Sequence, residues 1–524
     1  MAYHKVDVAA LAAGQALTNE GGLAFVATEW ARLRRFLILG TDLGTYYATP
    51  QALTVENASV ALDLIKKDGK GVVREVLLMS TENRAPKQDA GLFVLAMAAR
   101  YGDKDTRIEA NAALPRVART FSTLFLFLSF YVPMKKEKGF GRSLRRAISS
   151  FYNDVPARTL AFNVGKYGSR NGWSHKNLLS LAHVKPVSPD HDKVFFYCCN
   201  DDLPQLGDED PSEVRELLEA TKAVKTNPAL SVSAIIEHGF VREHLSTDAL
   251  NDPLVWQALL VKMPITALIR NINKITALGL LDDPETLHSV CDRITDPKAL
   301  RGGRVHPIKI LIALNAYSAG KGKGKLEWIP HYSIKEAFDK AFYIAFKSVP
   351  AIISSCVVSV DVSSSMSAAV SSTTGLSARQ VAAALAMLFR RNADDCIINA
   401  FSTTLVPIDI KPSDKLQTVI EKMSMFPFGG TDCSLPMMWA RTEKHPCDVF
   451  VVITDNETGH SKYTPAEALA LYNETMGINA KLIVLAVTST SFTIADPANN
   501  DMLDIAGFDS SVLDIIVDFI EKGL

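Results

Sequence analysis

The chain has 524 residues, with 56 Lys plus Arg against 57 Asp plus Glu, and a formal net charge of −1. Hydrophobic residues at 48% and charged residues at 22% are ordinary for a soluble globular chain, and exclude disorder or a collagen-like repeat as a bulk description. At roughly 100–200 residues per domain, the length suggests about three domains, or one long repeat region plus a domain.

Met1–Leu17 carries Asp7 and lacks a basic start followed by an apolar core, so no secretory signal is read there. From there to residue 350 the pattern is mostly helical. Apolar residues recur three and four apart over Leu23–Leu39, Val55–Lys67, Asp89–Tyr101, Arg142–Phe151, Ser174–Ala182, Pro211–Lys225, Pro253–Val261 and Ile334–Phe346. The most apolar run, Phe121–Val132, is shorter than the roughly 20 residues a bilayer span needs, and reads as a buried helix. Successive helices without long alternating strands predict stacked helix pairs, an α-solenoid.

Charge is unevenly spread within that region. Residues 131–190 hold 11 Lys/Arg against 3 Asp/Glu, the electrostatic footprint of a polyanion-binding surface. Lys135, Lys136 and Lys138 precede a predicted helix on which Arg142, Arg145 and Arg146 share one face, with Leu144, Ile148 and Phe151 opposite. Next comes KYGSRNGWSHK, containing Lys166, Arg170 and Lys176. Ser174 is placed to cap a helix on which Lys176, Ser180 and His183 share a face. Basic groups interleaved with Tyr, Trp and His can hold phosphates and stack on bases. A solvated basic face with Trp173 in the core is the other reading, and His175 is open between a structural hydrogen bond and a ligand contact. Gly320–Lys325 (GKGKGK) lacks the Ser or Thr of a phosphate loop and reads as a flexible basic turn.

After residue 350 the pattern changes. Cys356–Val360, Ile397–Phe401, Val449–Thr454 and Lys481–Val487 are short apolar strands, alternating with helices at Ala378–Arg391 and Pro465–Glu474. This predicts a doubly wound, mostly parallel α/β sheet, with ligands at the carboxyl ends of its strands. The 351–524 segment carries 11 Lys/Arg and 20 Asp/Glu, so the near-zero total charge averages over halves of opposite sign. Asp361, Ser363 and Ser365 follow the first strand as D-x-S-x-S. These hard oxygen donors suit Mg²⁺, although a Ser-rich turn with a capping Asp is a common alternative. Asp455 closes another apolar strand, and Thr431 lies on a Gly-Gly loop before a helix near Ser434. Asp432 and Glu457 read as solvent or neighbouring groups rather than direct ligands. Catalysis by Ser363 or Ser365 is set aside because no G-x-S-x-G elbow is present. The seven cysteines form no C-x-x-C and suggest free thiols in a reducing compartment.

D-x-S-x-S, then Thr, then Asp after a strand resembles the von Willebrand factor A domain. That resemblance carries the metal-ion-dependent adhesion site (MIDAS) onto Asp361, Ser363, Ser365, Thr431 and Asp455, with a partner's carboxylate completing it. The whole chain is similar to the Ro autoantigen family, which joins a TROVE module to such a domain. The matching strings include RLRRFLILG (Arg32–Gly40), GRSLRRAI (Gly141–Ile148), KYGSRNGWSHK (Lys166–Lys176), MPITALIRN (Met263–Asn271), HPIKILIAL (His306–Leu314), VDVSSSM (Val360–Met366) and GGTDCSLPM (Gly429–Met437). Residues 187–230 carry no such string and are locally acidic.

The resemblance implies a ring of HEAT-like repeats over residues 1–350, closed by an A domain over 351–524, with a central hole. It implies a non-catalytic protein that binds Y RNAs on its outer basic face and the 3′ ends of misfolded small RNAs in the hole. RNA quality control and stress survival would be its roles. Lys166, Arg170 and His183 match the family's RNA-contact positions, and Arg142, Arg145 and Arg146 match its basic strip. A monomer is expected, off the membrane, in the cytoplasm with the nucleus left open. Two other readings stand beside this one: a metal-dependent protein-adhesion module with incidental RNA binding, and a metal-dependent nuclease, for which the carboxylates are too few.

Overall fold

The structure, a computed structural model, describes residues 15–18, 21–39, 58–82, 84–85, 88–134, 139–204, 212–303, 305, 307–322, 324–346, 352, 354–368, 376–426, 429–459, 461–488, 490–506, 515–516 and 519–520. A short hairpin opens it, β1 Gln15–Leu17 and β2 Leu23–Val26. Helices then dominate: α1 Glu29–Leu39, α2 Ser59–Thr81, α3 Asp89–Tyr101, α4 Lys104–Val117, α5 Phe121–Tyr131, α6 Arg142–Asn153 and α7 Ala157–Tyr167. A two-residue ribbon, β3 Ser169–Arg170 with β4 Trp173–Ser174, leads into α8 His175–Ala182, α9 Pro189–Asn200, α10 Glu213–Thr226, α11 Ser231–His238 and α12 Pro253–Lys262. The array ends with α13 Ile265–Ala277, α14 Pro284–Thr295, α15 Pro297–Gly302, α16 Pro307–Ser318 and α17 Tyr332–Phe346.

Local chemistry explains why these helices start where they do. Asp103, Thr120, Ser188, Ser212, Asp252, Asp283 and Asp296 each accept a hydrogen bond from a first-turn N–H. Prolines open α9, α12, α14 and α15, where a missing N–H costs nothing. From α2 to α9 helices pack on the helix two further along, α2 on α4, α3 on α5, α4 on α6, α6 on α8 and α7 on α9. That alternation is the two-layer solenoid expected from the pattern. The apolar α5 is buried as expected, with Leu124, Phe125, Phe127 and Leu128 fully covered. No helix among the described residues is long and apolar enough to cross a membrane.

Two expectations need correction. The run Leu23–Leu39 is not one helix, because Leu23–Val26 pairs as strand β2 and the helix begins at Glu29. The helix expected over Val55–Lys67 runs on as Ser59–Thr81, bent at Asp68, where φ is −145°. Gly69 at that bend lies so close to α4 that an added Cβ would sit 2.5 Å from Thr106 Oγ1.

The second unit holds β5 Cys356–Asp361, α18 Ala378–Asn392, β6 Cys396–Phe401, β7 Leu405–Pro407, α19 Leu416–Ser424, α20 Leu435–Thr442, β8 Val449–Thr454, α21 Pro465–Met476, β9 Lys481–Ala486, β10 Phe492–Thr493 and β11 Met502–Ala506. Six strands form one sheet in the order β11-β9-β8-β5-β6-β7, parallel except for the short edge strand β7. Both faces are covered. Val358, Val360, Val451 and Ile453 pack toward α18, and Val357, Phe450, Val452 and Val484 pack with Met437, Leu469 and Tyr472 of α20 and α21. Alternate residues of one strand thus enter two cores, which is why these strands read as continuous apolar runs.

Both ends of the helical array bear on this second unit. At the start, β2 pairs antiparallel with β10, so that the hairpin completes a three-stranded sheet whose third strand lies more than 460 residues along the chain. Helix α1 packs beside β11. At the other end, the Leu416 N–H donates to the Tyr343 hydroxyl at 3.1 Å, the Arg391 guanidinium lies 3.7 Å over the Tyr343 ring, and Lys415 pairs with Glu336.

Candidate metal centre and basic surface

The chain goes from β5 to β6 on one side of the sheet, then crosses to β8 on the other. The gap beyond the carboxyl ends of β5 and β8 is therefore the switch point, where the connecting loops part. Asp361 ends β5, and Asp455 follows the last residue of β8. Because Val360 pairs with Ile453, these two ends lie side by side. Asp361, Ser363, Ser365 and Asp455 are wholly buried and Thr431 is 3% exposed.

The site is built by short local bonds. Asp361 Oδ1 accepts from the Ser363 N–H at 2.9 Å, and Ser363 and Ser365 hydroxyls meet at 2.9 Å. The Thr454 hydroxyl donates to Asp361 Oδ2 at 2.7 Å, and Asp455 Oδ1 accepts from the Glu457 N–H at 3.1 Å. Arg379, on α18, donates to the Ser363 carbonyl at 3.4 Å. Burial, with the Asp455 carboxylate close by, pushes the Asp361 carboxyl well above the usual carboxylate range. Two buried carboxylates that resist ionising together, with three hydroxyls near, are a donor set that fits a hard divalent cation. No group of three or more His, Cys, Asp or Glu able to hold a metal occurs among the described residues. The five positions thus offer two carboxylates and neutral hydroxyls, not a carboxylate cage.

Sequence reasoning overlooked some neighbours. Thr454 orients Asp361, and only its place at the end of the apolar run VFVVIT could have drawn attention to it. Glu457 was expected to be solvent-facing or beside the ligands, and it is wholly buried. Asp432 instead caps the following turn, accepting from the Ser434 N–H at 2.9 Å. The Thr458 carbonyl accepts from both the Thr18 hydroxyl and the Gly22 N–H, tying the loop after Asp455 to the N-terminal hairpin. Thr458 Oγ1 reaches back to the Thr431 carbonyl at 3.4 Å.

The basic residues lie on the helical array. Lys135, Lys136 and Lys138 fall outside the described residues. On α6, Arg142 and Arg146 are exposed and Arg145 is half-buried, while Leu144 and Ile148 are fully buried and Phe151 lies 5.9 Å from the Phe121 ring. Lys166 lies in the last turn of α7 with its ammonium 5.1 Å from the Tyr167 ring, and Arg170 is exposed on β3. Ser174 caps α8 as expected, its hydroxyl accepting from the Asn177 N–H at 3.3 Å. Lys176 and His183 are exposed, but His183 is not on the helix face shared by Lys176 and Ser180. It is the left-handed residue that stops α8, φ +53°, its N–H closing on the Leu179 carbonyl.

His175 is structural. It is 3% exposed, bonded to the Tyr152 hydroxyl at 2.9 Å and edge-on to Phe121 and Phe125. Burial lowers its pKa to about 3. Trp173 is half-buried with its ring 6.1 Å from Phe140. All seven cysteines are free thiols.

Comparison with known proteins places these features in a family. The TROVE domain model matches residues 16–209 and 235–325, and the Ro60 vWA domain model matches 355–520. The first match runs through residues 187–209, part of the stretch in which no family string was visible, and leaves 210–234 uncovered. A Caenorhabditis elegans protein named "RNA-binding protein RO60" is 34% identical over 97% of this chain and 90% of its own length. One of the same name from Deinococcus radiodurans is 34% identical over 96% of this chain and 95% of its own. The crystal structure of the Deinococcus radiodurans RO (RSR) protein superposes with a TM-score of 0.73, covering 95% of this chain and 100% of that one.

Proposed function

The chain belongs to the Ro60 family, and from that premise we propose that it is an RNA-binding protein that acts by binding, not by catalysis. The observation that carries this reading is the run of basic and imidazole side chains from α6 to the end of α8. Arg142, Arg146, Arg170, Lys176 and His183 are exposed there and Arg145 and Lys166 half-exposed, while their helices are anchored from behind by buried Leu144, Ile148, Leu178 and Leu179. Guanidinium and ammonium groups on a rigid scaffold neutralise phosphates and release counterions, so affinity should fall steeply with salt.

The finer reading follows the family resemblance. The helical array and the A-type unit form a ring that holds Y RNA on its outer basic surface and the 3′ ends of misfolded small RNAs in its hole, as a monomer serving RNA quality control in the cytoplasm. Contacts at both ends of the array support closure. A Lys166→Ala/Arg170→Ala double variant should bind a Y-type RNA at least about tenfold more weakly, as expected for loss of two phosphate contacts, while melting at the parent temperature. Equal retention in a filter assay would refute the assignment.

Asp361, Ser363, Ser365, Thr431 and Asp455 would hold Mg²⁺, which would supply an open coordination position to a partner's carboxylate. The burial of two adjacent carboxylates at the switch point supports this part of the reading. It also keeps a second reading alive, protein adhesion at the metal with RNA binding separate. Asp361→Ala should then abolish partner capture and leave RNA retention untouched.

A further inference from the structure

At the end of the sheet away from the candidate metal centre, two thiols face each other. Cys356 begins β5 and Cys396 begins β6, and the parallel register of those strands pairs the two residues directly. Neighbouring strands run about 4.7–4.9 Å apart, inside the roughly 4.4–6.8 Å between Cα atoms that a disulfide spans. Both side chains leave the same face. Cys356 enters the core with Val358 and Val360 of its own strand, and Cys396 packs on that core with Ile398 and Ala400.

The contacts of Cys356 aim it at β6. Its N–H donates to the Asp395 carbonyl at 3.0 Å, and its Sγ lies 3.5 Å from the same oxygen, one residue before Cys396. Cys447, on the other side of β5, is turned away. Its Sγ meets the Val449 carbonyl at 2.9 Å and belongs to the opposite core, with Val357 and Phe450.

The two thiols differ in access. Cys356 is 3% exposed, whereas Cys396 is half-buried and follows the exposed Asp394 and Asp395. A hydrogen bond with Cys396, together with burial, keeps Cys356 protonated well beyond the ordinary thiol range. An oxidant arriving from solvent therefore meets Cys396 first, with Cys356 behind it as the resolving thiol.

We propose that Cys356 and Cys396 are a redox modification site, at which a two-electron oxidant of the peroxide class joins β5 to β6 by a reversible disulfide. The Cys396 sulfur attacks a peroxide oxygen; an S–O bond forms, the O–O bond breaks and one water leaves. The Cys356 sulfur then attacks that sulfenic sulfur and gives its proton to the departing hydroxide. An S–S bond replaces the S–O bond and a second water leaves. Two thiols are oxidised, and one hydrogen peroxide is reduced to two waters. A small thiol such as glutathione reverses the step by exchange and becomes its own disulfide. A transient bridge of this kind is compatible with a reducing compartment. It pins the amino end of the strand whose carboxyl end carries Asp361, and it closes a loop that contains Ser363, Ser365 and α18. The site is independent of the RNA-binding reading.

The test exposes the folded full chain to increasing hydrogen peroxide, blocks remaining thiols by alkylation and digests it without reductant. Mass spectrometry should find the peptides bearing Cys356 and Cys396 joined, lighter by two hydrogens, and separate again after glutathione. Cys396→Ser should abolish the joined species. Cys356→Ser should abolish it too, and leave Cys396 as a sulfenic acid that dimedone traps. Melting curves establish that the variants fold, and the half-buried position of Cys396 keeps the test open should Cys356→Ser fail to do so. No joined pair at any peroxide dose that leaves the fold intact, including one that takes Cys396 to sulfinic acid, overturns the proposal. So does a bridge from Cys396 to any other cysteine, or a Cys356–Cys396 bridge that forms only in denaturant.

Discussion

Asp361 shows how one residue can be legible in sequence while its circumstances are not. D-x-S-x-S after an apolar strand marks it, since a strand end fixes where a carboxylate must point. Its hydrogen bond from Thr454 comes from a strand 93 residues away, and no local pattern announces that pairing. If the five positions hold a cation, Mg²⁺ at about 100 times its dissociation constant should add about 2.7 kcal/mol to stability. Asp361→Ala should melt at the same temperature with and without Mg²⁺, and a retained shift would refute the ligand set. The second residue-scale prediction concerns protons. His175 is held at about 3 and His244 at about 4, chiefly by burial, against an ordinary value of 6.5. Both are neutral in the fold and take up protons on unfolding. Their contribution is complete above pH 6.5 and is lost as pH falls from there toward 4 and 3. His175→Phe should flatten the fall in stability between pH 6.5 and pH 4.5, read by denaturant titration, and an unchanged slope would argue against a buried neutral imidazole.

Elements were most legible where a dense apolar run or period decides them locally. The expected Asp89–Tyr101 helix and Val449–Thr454 strand have those bounds in the structure. Legibility failed where the deciding partner is remote. LAFV at Leu23–Val26 looks like the start of a helix because its apolar residues run on into those of α1, while one of its two strand partners, Phe492–Thr493, lies at the far end of the chain. His183 was drawn onto a helix face because period alone cannot see a left-handed stop, and histidine is among the residues that tolerate one. The cap of α8 gives a prediction at this scale. Ser174→Ala removes the acceptor for the Asn177 N–H and should cost about 1 kcal/mol, and RNA affinity should drop with it because Lys176 rides on the first turn of α8. Denaturation together with filter binding checks this, and lost stability at full affinity would detach α8 from the interface.

At the scale of the whole molecule, the seam between β2 and β10 decides whether the two ends of the array act as one body. Gly22 sits against the loop that follows Asp455. A Cβ there would lie 2.2 Å from the carbonyl oxygens of Thr458 and Gly459, and backbone cannot move aside as a flexible side chain can. Gly22→Ala should therefore undock the hairpin, lowering stability by about 1–3 kcal/mol and raising hydrogen exchange at residues 15–26 and 491–493 together. Exchange confined to one side of the seam would show that the two strands do not depend on each other.

The same seam sets an order of events during synthesis. Helices α2 to α17 each find their partners within a short stretch of chain and can pack while translation continues. The β1–β2 hairpin has its third strand only when Phe492 has emerged, which at about 5–20 residues per second comes roughly 20–90 s after the hairpin itself. Through that interval β2 presents an open edge bearing Leu23, Phe25 and Val26, the kind of template that invites pairing with a second nascent chain. On one message read by several ribosomes, the edge of one copy could accept residues 492–493 of another, giving a domain-swapped pair in place of a closed monomer.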